Sequence, residues 1–293
     1  MPAKPDPARW CLGVIGGSGL YDLSLIEDAQ EIAVSSAFGA PSGPVTIGTI
    51  AGVRCVFLPR HGAGHRLPPE AIPHRANIDV LKRCGVTDVV AISAIGSLRE
   101  DFAPGSFVAV DQFIDRTHGR AQSFFGSGLV AHVSMADPTC PRLSALAAEA
   151  ARDAGATVHG GGCYLAMQGP QFSTRAESRM YRQWGADVIG MTALPEARLA
   201  REAELPYALL GMVTDYDSWR EGDHVEVAQV LQVMAANAAL ARATVARLAA
   251  MLPASRDPSP IDRALDGAIM TAPAQRDLQA VAMLDAVAGR VLR

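Results

Sequence analysis

The chain has 293 residues, with 26 Lys+Arg against 30 Asp+Glu, a formal net charge of −4, 49% hydrophobic and 5% aromatic residues. That length allows one large domain or two small ones, and the apolar fraction feeds a sizeable core, which excludes global disorder. A mildly acidic chain with no basic block is a poor partner for nucleic acid or an anionic membrane surface.

In chain order, Leu12–Ile15 is a short apolar run that stops at Gly16-Gly17-Ser18-Gly19, a strand entering a glycine-rich turn. Val45–Ile50 and Val53–Leu58 flank Ala51-Gly52 as a hairpin. Ala76–Cys84 reads as a short helix stopped by Gly85. Val86–Ser93 is a β-branched apolar run, the pattern of a strand buried on both faces, and Phe107–Val110 is a further strand. Leu143–Ala154 is an Ala-rich helix, followed by a strand over Cys163–Met167. Thr174-x-x-Glu177 is a capping-box pattern opening a helix that reaches Trp184. A strand over Asp187–Met191, a helix over Pro195–Glu204 and a strand over Tyr207–Val213 come next. Val227, Val230, Leu231, Met234 and Ala238 keep helical spacing in a long helix reaching about Leu252.

Strands alternating with helices predict a single-domain α/β sandwich around a mixed, mostly parallel sheet, spanning residues 1–252. Pro253–Pro260 reads as a linker, and Ile261–Arg293 as a tail with helical stretches. The apolar runs near Val89–Gly96 and Tyr207–Val213 are too short to cross a bilayer, and Met1–Trp10 lacks the apolar stretch of a secretory signal. Cys11, Cys55, Cys84, Cys140 and Cys163 are scattered, odd in number and form no C-x-x-C, so buried thiols in a cytoplasmic protein are expected rather than disulfides or a zinc cluster.

Polar clusters fall at predicted strand ends, where open α/β sheets collect ligands. Gly16–Gly19 offers backbone N–H groups to an anion, without the G-K-[ST] of a P-loop or a complete G-x-G-x-x-G; an ordinary tight turn is the plainer reading of those glycines alone. Arg60-His61-Gly62 supplies a guanidinium suited to phosphate, and His65 adds no third metal ligand to His61. Ser93-Ala94-Ile95-Gly96 and Thr214–Asp217 complete the set, with Met191-Thr192 ending a fifth strand. Asp215 and Asp217 would face one side if strand geometry held, and paired carboxylates push one pKa upward; a capping role, a solvated loop or a metal site are the alternatives. No G-x-S-x-G supports a serine hydrolase, and the acid pair argues against a binding module that only holds a nucleoside.

Taken in order, IGGSGLYD (Ile15–Asp22), PRHGAGH (Pro59–His65), SAIGSLRE (Ser93–Glu100), QGPQFSTRAES (Gln168–Ser178), WGADVIGMTALPEA (Trp184–Ala197) and TDYDSW (Thr214–Trp219) resemble the trimeric purine nucleoside phosphorylase family, in its methylthioadenosine-cleaving branch. The resemblance covers about Leu12 to Leu252. It implies phosphorolysis of S-methyl-5′-thioadenosine to adenine and 5-methylthio-α-D-ribose 1-phosphate, in purine and methionine salvage; a broader purine nucleoside phosphorylase is the alternative. It implies no metal or organic cofactor, inorganic phosphate as co-substrate, and a homotrimer or homohexamer. Phosphate would be held by Ser18, Arg60, His61, Ser93, the Ala94 N–H and Thr192, and the sugar would lie near Met191. Asp217, or the pair with Asp215, would protonate the leaving purine at N7 and read a 6-amino group. Phe172, Ser173, Val227 and Val230 would lie by the base and the 5′ substituent, and His132 would reach a neighbouring subunit's site. This chain departs from relatives in Ser18 and Ser93 for Thr, His74 for a frequent Tyr, and Gly190 for an Asn. The tail around Ile261–Pro273 resembles that of microbial members, where it would lie over a neighbour's site.

Overall fold

A computed structural model describes residues 8–17, 25–220 and 227–292. The predicted β-rich core is built from β1 (Cys11–Gly16), β2 (Glu27–Ile32), β3 (Val45–Ile50), β4 (Val53–Pro59), β5 (Asp88–Ser97) and β6 (Phe107–Val110). It continues with β7 (Gln112–Asp115), β8 (Val158–Gly160), β9 (Cys163–Ala166), β10 (Val188–Gly190) and β11 (Tyr207–Asp215). The helices are α1 (His74–Arg83), α2 (Pro141–Asp153), α3 (Arg175–Gln183), α4 (Ala193–Glu202), α5 (Val227–Met251), α6 (Leu278–Met283) and α7 (Gly289–Leu292).

Among the described residues, all eleven strands join one sheet, with the path β2-β3-β4-β1-β5-β10-β9-β7 and a branch in which β11 pairs with β5 and β6, and β6 with β8. β1 runs parallel to β4 and β5, and β5 parallel to β11, so their carboxyl ends gather at one side. β3 and β4 form the expected antiparallel hairpin about Ala51-Gly52.

The near-continuous apolar runs are buried on both faces because helices cover both. In β5, Val89, Ala91 and Ile95 enter one core while Val90 and Ile92 enter the other. In β11, Tyr207, Leu209 and Val213 alternate in the same way with Ala208, Leu210 and Met212. The first core takes α1 and α4, with Ile78, Leu81 and Leu199, and the second takes α2 and α5, with Leu143, Ala147, Val245 and Leu248. Along α5 the stripe 230-234-238-241-245-248 steps by three or four residues. Its second half enters the core, and its first half reaches the cavity described below.

Two strand boundaries differ from the sequence expectation in a way that matters. β5 continues to Ser97, because β10 pairs with Gly96 and Ser97 and β11 runs beside it as far as Gly96. Ser93–Gly96 therefore lies inside a strand rather than beyond its end. β11 reaches Asp215, but its register slips by one residue between Val213 and Asp215, a bulge that re-aims the side chains there. β2, β7 and β8 carry no alternating apolar signal; β2 reads EDAQEI and is exposed throughout, an edge strand held by its ladder to β3.

The segment from Pro253 onward packs on the body. Ile261 enters the second core, and Leu265, Ala268, Leu284, Val287 and Ala288 enter the first. Glu204 receives Leu265 N–H at 3.0 Å and Arg290 Nε at 2.8 Å. Asp88, fully buried at the start of β5, pairs with Arg142 of α2 and with Arg256, whose Nη1 also donates to Asp262 at 2.9 Å. Removing one member of a buried pair leaves an uncompensated charge. Arg256→Ala is expected to lower unfolding free energy by about 3–5 kcal/mol in urea denaturation; a loss below about 1 kcal/mol would mean that Arg142 alone compensates Asp88.

Candidate active site

The gathered carboxyl ends open into a cavity of about 540 Å³. Gly17 follows β1, Arg60 and His61 follow β4, Ser93 to Gly96 come from β5, and Thr214, Asp215 and Asp217 come from the end of β11. Met191 and Thr192 enter from the turn between β10 and α4, Phe172 from the loop before α3, and Val230, Met234 and Ala238 from α5. Ser18 lies outside the described residues.

One part of the wall is rich in neutral donors. Ser93 Oγ and Thr192 Oγ1 are 3.3 Å apart, and both residues are buried. His61 Nδ1–H donates to the Leu67 carbonyl at 2.8 Å, and its ring stacks on His65 with centroids 4.0 Å apart. Burial lowers the His61 pKa to about 4, so the ring is neutral near pH 7. With Nδ1 donating, Nε2 is the acceptor, suited to the hydroxyl of a protonated phosphate.

Arg60 lines the same cavity at 1% exposure, yet its donors turn into the protein. Nε and Nη2 donate to Glu196 at 2.8 and 2.9 Å, and Nη1 donates to the Ile92 carbonyl at 3.0 Å. Tyr207 Oη donates to the same Glu196 at 2.9 Å. Glu196 therefore offsets much of the guanidinium's charge, and an anion here meets a tempered field.

The two acids divide their tasks. Asp215 Oδ2 accepts from Thr214 Oγ1 at 2.7 Å, and Oδ1 accepts from Asp217 N–H at 2.8 Å. Asp217 is held in the left-handed region, φ 49°, and is 3% exposed. The shared strand face expected from alternation is thus replaced by a bulge and a turn in which Asp215 braces Asp217. Asp217 Oδ2 is buried without a hydrogen-bond partner. Burial raises the carboxyl pKa of Asp217, partly opposed by the Ser178 hydroxyl and Ser218 N–H and reinforced by the charge of Asp215. Burial also raises that of Asp215, against its two donors. The loop is anchored by Trp219, whose Nε1 donates to the Ser97 carbonyl at 2.8 Å.

The remaining expected residues scatter. Phe172 is 44% exposed at the rim, and Ser173 is buried with Oγ 3.5 Å from Met167 Sδ. Thr174 Oγ1 and Glu177 form the predicted capping box at the start of α3. Val230 lines the cavity, whereas Val227 is 61% exposed and outside the lining. His132 is exposed away from the cavity, its N–H donating to the Ala268 carbonyl at 2.9 Å. Gly190 has no room for a side chain, since a Cβ there would stand 2.1 Å from Tyr164 Oη. That hydroxyl, fully buried, accepts from Thr192 N–H at 3.3 Å and so takes the place beside the site. His74 is buried with both ring nitrogens unpartnered, and burial holds its pKa well below the usual value. His65, Arg66, Pro68, Pro69, Met234 and Ala238 also line the cavity without having been assigned to a site from sequence, although the helical stripe 230-234-238 points to the last two.

The model of the phosphorylase superfamily matches residues 12–250. Relatives named S-methyl-5′-thioadenosine phosphorylase are 59% identical in Cereibacter sphaeroides and 56% identical in Bradyrhizobium diazoefficiens, each over 285 residues covering 96% of this chain and 98% of the relative. The fold is also similar to a methylthioadenosine phosphorylase crystal structure from an antarctic soil metagenomic library, with TM-score 0.88, 40% identity, and 96% and 99% of the two chains covered. A methylthioadenosine phosphorylase from Schistosoma mansoni in complex with adenine gives TM-score 0.79, 38% identity, and 83% and 92% coverage. The chain belongs to the phosphorylase superfamily.

Proposed function

We propose that this chain cleaves S-methyl-5′-thioadenosine with inorganic phosphate, giving adenine and 5-methylthio-α-D-ribose 1-phosphate in purine and methionine salvage in the cytoplasm. The observation that carries the reading is one cavity lined both by neutral phosphate donors and by Asp217, a buried acid with an unpaired oxygen.

Phosphate accepts from Ser93, Thr192 and the Ala94 N–H, donates a hydrogen bond from its own hydroxyl to His61 Nε2, and is drawn by the tempered charge of Arg60. The anomeric carbon gains oxocarbenium character as the glycosidic bond breaks. The held phosphate stabilises that charge and then bonds to the carbon, with Met191 against the sugar. Asp217 gives its proton to the purine N7, so that adenine does not leave as an anion. Asp215 keeps Asp217 in place and raises its proton affinity. The apolar stripe of Val230, Met234 and Ala238 suits a thiomethyl group better than a hydroxyl, a preference worth about 1–3 kcal/mol. No cofactor enters this scheme.

In a coupled assay, adenine release should require phosphate and yield a sugar 1-phosphate, with methylthioadenosine preferred to adenosine and inosine. Equal release in phosphate-free buffer would identify a hydrolase instead.

Asp217→Asn preserves shape but carries no proton for N7, and its amide donates to a 6-oxo group. The loss on methylthioadenosine should be about 10- to 150-fold in kcat/KM and exceed the loss on inosine. Wild-type kcat/KM should fall as pH rises through the raised pKa of Asp217, because only the protonated form is active. The variant should lack that descending limb. An unchanged substrate ratio and an unchanged pH profile would remove Asp217 from both roles.

The proposed working unit is a homotrimer or homohexamer in which His132 completes a neighbour's site. Sedimentation should show an oligomer, and His132→Ala should raise the nucleoside KM without dissociating it. Full activity of a demonstrated monomer would overturn this.

A further inference from the structure

Residues 116–125, between β7 and the Gly126–Leu129 bridge, form no helix or strand, yet they are tightly held. Asp115 Oδ1 accepts from Thr117 N–H at 2.8 Å and from Thr117 Oγ1 at 2.7 Å, while its Oδ2 pairs with Arg198 of α4. Arg198 also donates to Gln122 Oε1 at 2.6 Å. One turn further along α4, Glu202 accepts from Ser123 Oγ and Phe124 N–H, both at 2.7 Å. The segment is thus pinned to α4 on either side of one residue, Arg120.

Arg120 spends its donors on backbone. Nη1 donates to the Met191 carbonyl at 2.6 Å and the Leu194 carbonyl at 2.9 Å, and Nη2 donates to the Gln168 carbonyl at 2.8 Å. Its Nε is buried without a partner. Asp115 and Glu70 act on it only as charges, and burial lowers its pKa. A half-buried guanidinium that spends its donors on carbonyl oxygens, with no carboxylate hydrogen-bonded to it, is a poor source of stability. What it does accomplish is geometric: a rigid planar fork sets the distance between two strand-end loops.

Those loops leave the neighbouring parallel strands β9 and β10 and form adjoining walls of the cavity. Pro170 and Phe172 follow Gln168, and Thr192 follows Met191; all of these but Gln168 line the cavity. The walls are already in contact, since a Cβ on Gly169, φ +68°, would stand 2.5 Å from Met191 Sδ. A gap closed by a glycine on one side and a thioether on the other has little freedom to adjust except by widening.

We propose that Arg120 is a positioning residue that holds the Gln168–Phe172 wall against the Met191–Thr192 wall, so that base and sugar meet phosphate at reacting distance. The proposal rests on the phosphorolysis assigned to this cavity. Widening by about 1 Å is enough to lower turnover by about 100-fold.

The test uses Arg120→Met and Arg120→Lys in the full chain, assayed well below each melting temperature. Methylthioadenosine kcat/KM should fall by about 100-fold in the Met variant, with kcat lowered and nucleoside KM raised. The Lys variant should recover part of the loss, because a single ammonium reaches fewer carbonyls than the fork. Adenine titrated by calorimetry should bind at least about 10-fold more weakly to the Met variant, a readout independent of chemistry. If the Met variant does not fold, the Lys variant carries both measurements. Turnover within about twofold of wild type, or a loss that tracks only the unfolded fraction with adenine affinity unchanged, overturns the proposal. Should wild type bind adenine but not turn over methylthioadenosine, the phosphorolysis reading falls, while weaker adenine binding by the variant still supports the clamp.

Discussion

The buried pair of Arg60 and Glu196 is the constraint around which the site is arranged. It joins the end of β4, the middle of β5 through the Ile92 carbonyl, the first turns of α4, and the start of β11 through Tyr207. Both side chains are 2% exposed, so neither charge tolerates the loss of the other. The same pair sets the electrostatics of the cavity. An uncompensated guanidinium in a low-dielectric pocket would hold a phosphate hard; one shared with a carboxylate leaves binding to hydroxyls, backbone N–H and a neutral imidazole. In the proposed reaction, such a site would bind an anion and still release a sugar phosphate.

The acid end follows a complementary logic. Asp217 is desolvated, strained into positive φ and left with an open oxygen, three features that weaken a structure unless something else uses them. The bulge in β11, the two hydrogen bonds to Asp215 and the anchor of Trp219 on Ser97 supply the rigidity that keeps it so. Two carboxylates two positions apart thereby take unlike roles: Asp215 has both oxygens hydrogen-bonded and braces, while Asp217 keeps one oxygen unpartnered.

Much of this was legible in the chain. The buried strands announced themselves as continuous β-branched runs, because helices cover both faces and neither face needs polar alternation. The capping box at Thr174 and the hairpin at Ala51-Gly52 are local chemistry and are realised as read. Edge strands such as β2 gave no signal, since their hydrogen bonds come from a neighbour rather than from any pattern of their own. Val230 and Val227 show the limit of periodicity: both fit the helix, but only the rotation of α5 against the sheet puts Val230 in the cavity and Val227 in solvent.

The sequence by itself determined the residue types available for phosphate and purine chemistry and the order of strand ends that present them. Motif spacing and apolar pattern are local, and local physics decides them. Only the tertiary structure decided that Arg60 shares its charge with a carboxylate 136 positions away, that Tyr164 fills the space above Gly190, and that Asp215 braces Asp217 in the turn after a bulge. Arg120, between two unremarkable polar stretches, likewise meets its three carbonyls only after the chain has folded. These are contacts between segments distant in sequence or re-aimed by a register slip, and their free energies depend on distance and desolvation that no linear pattern encodes.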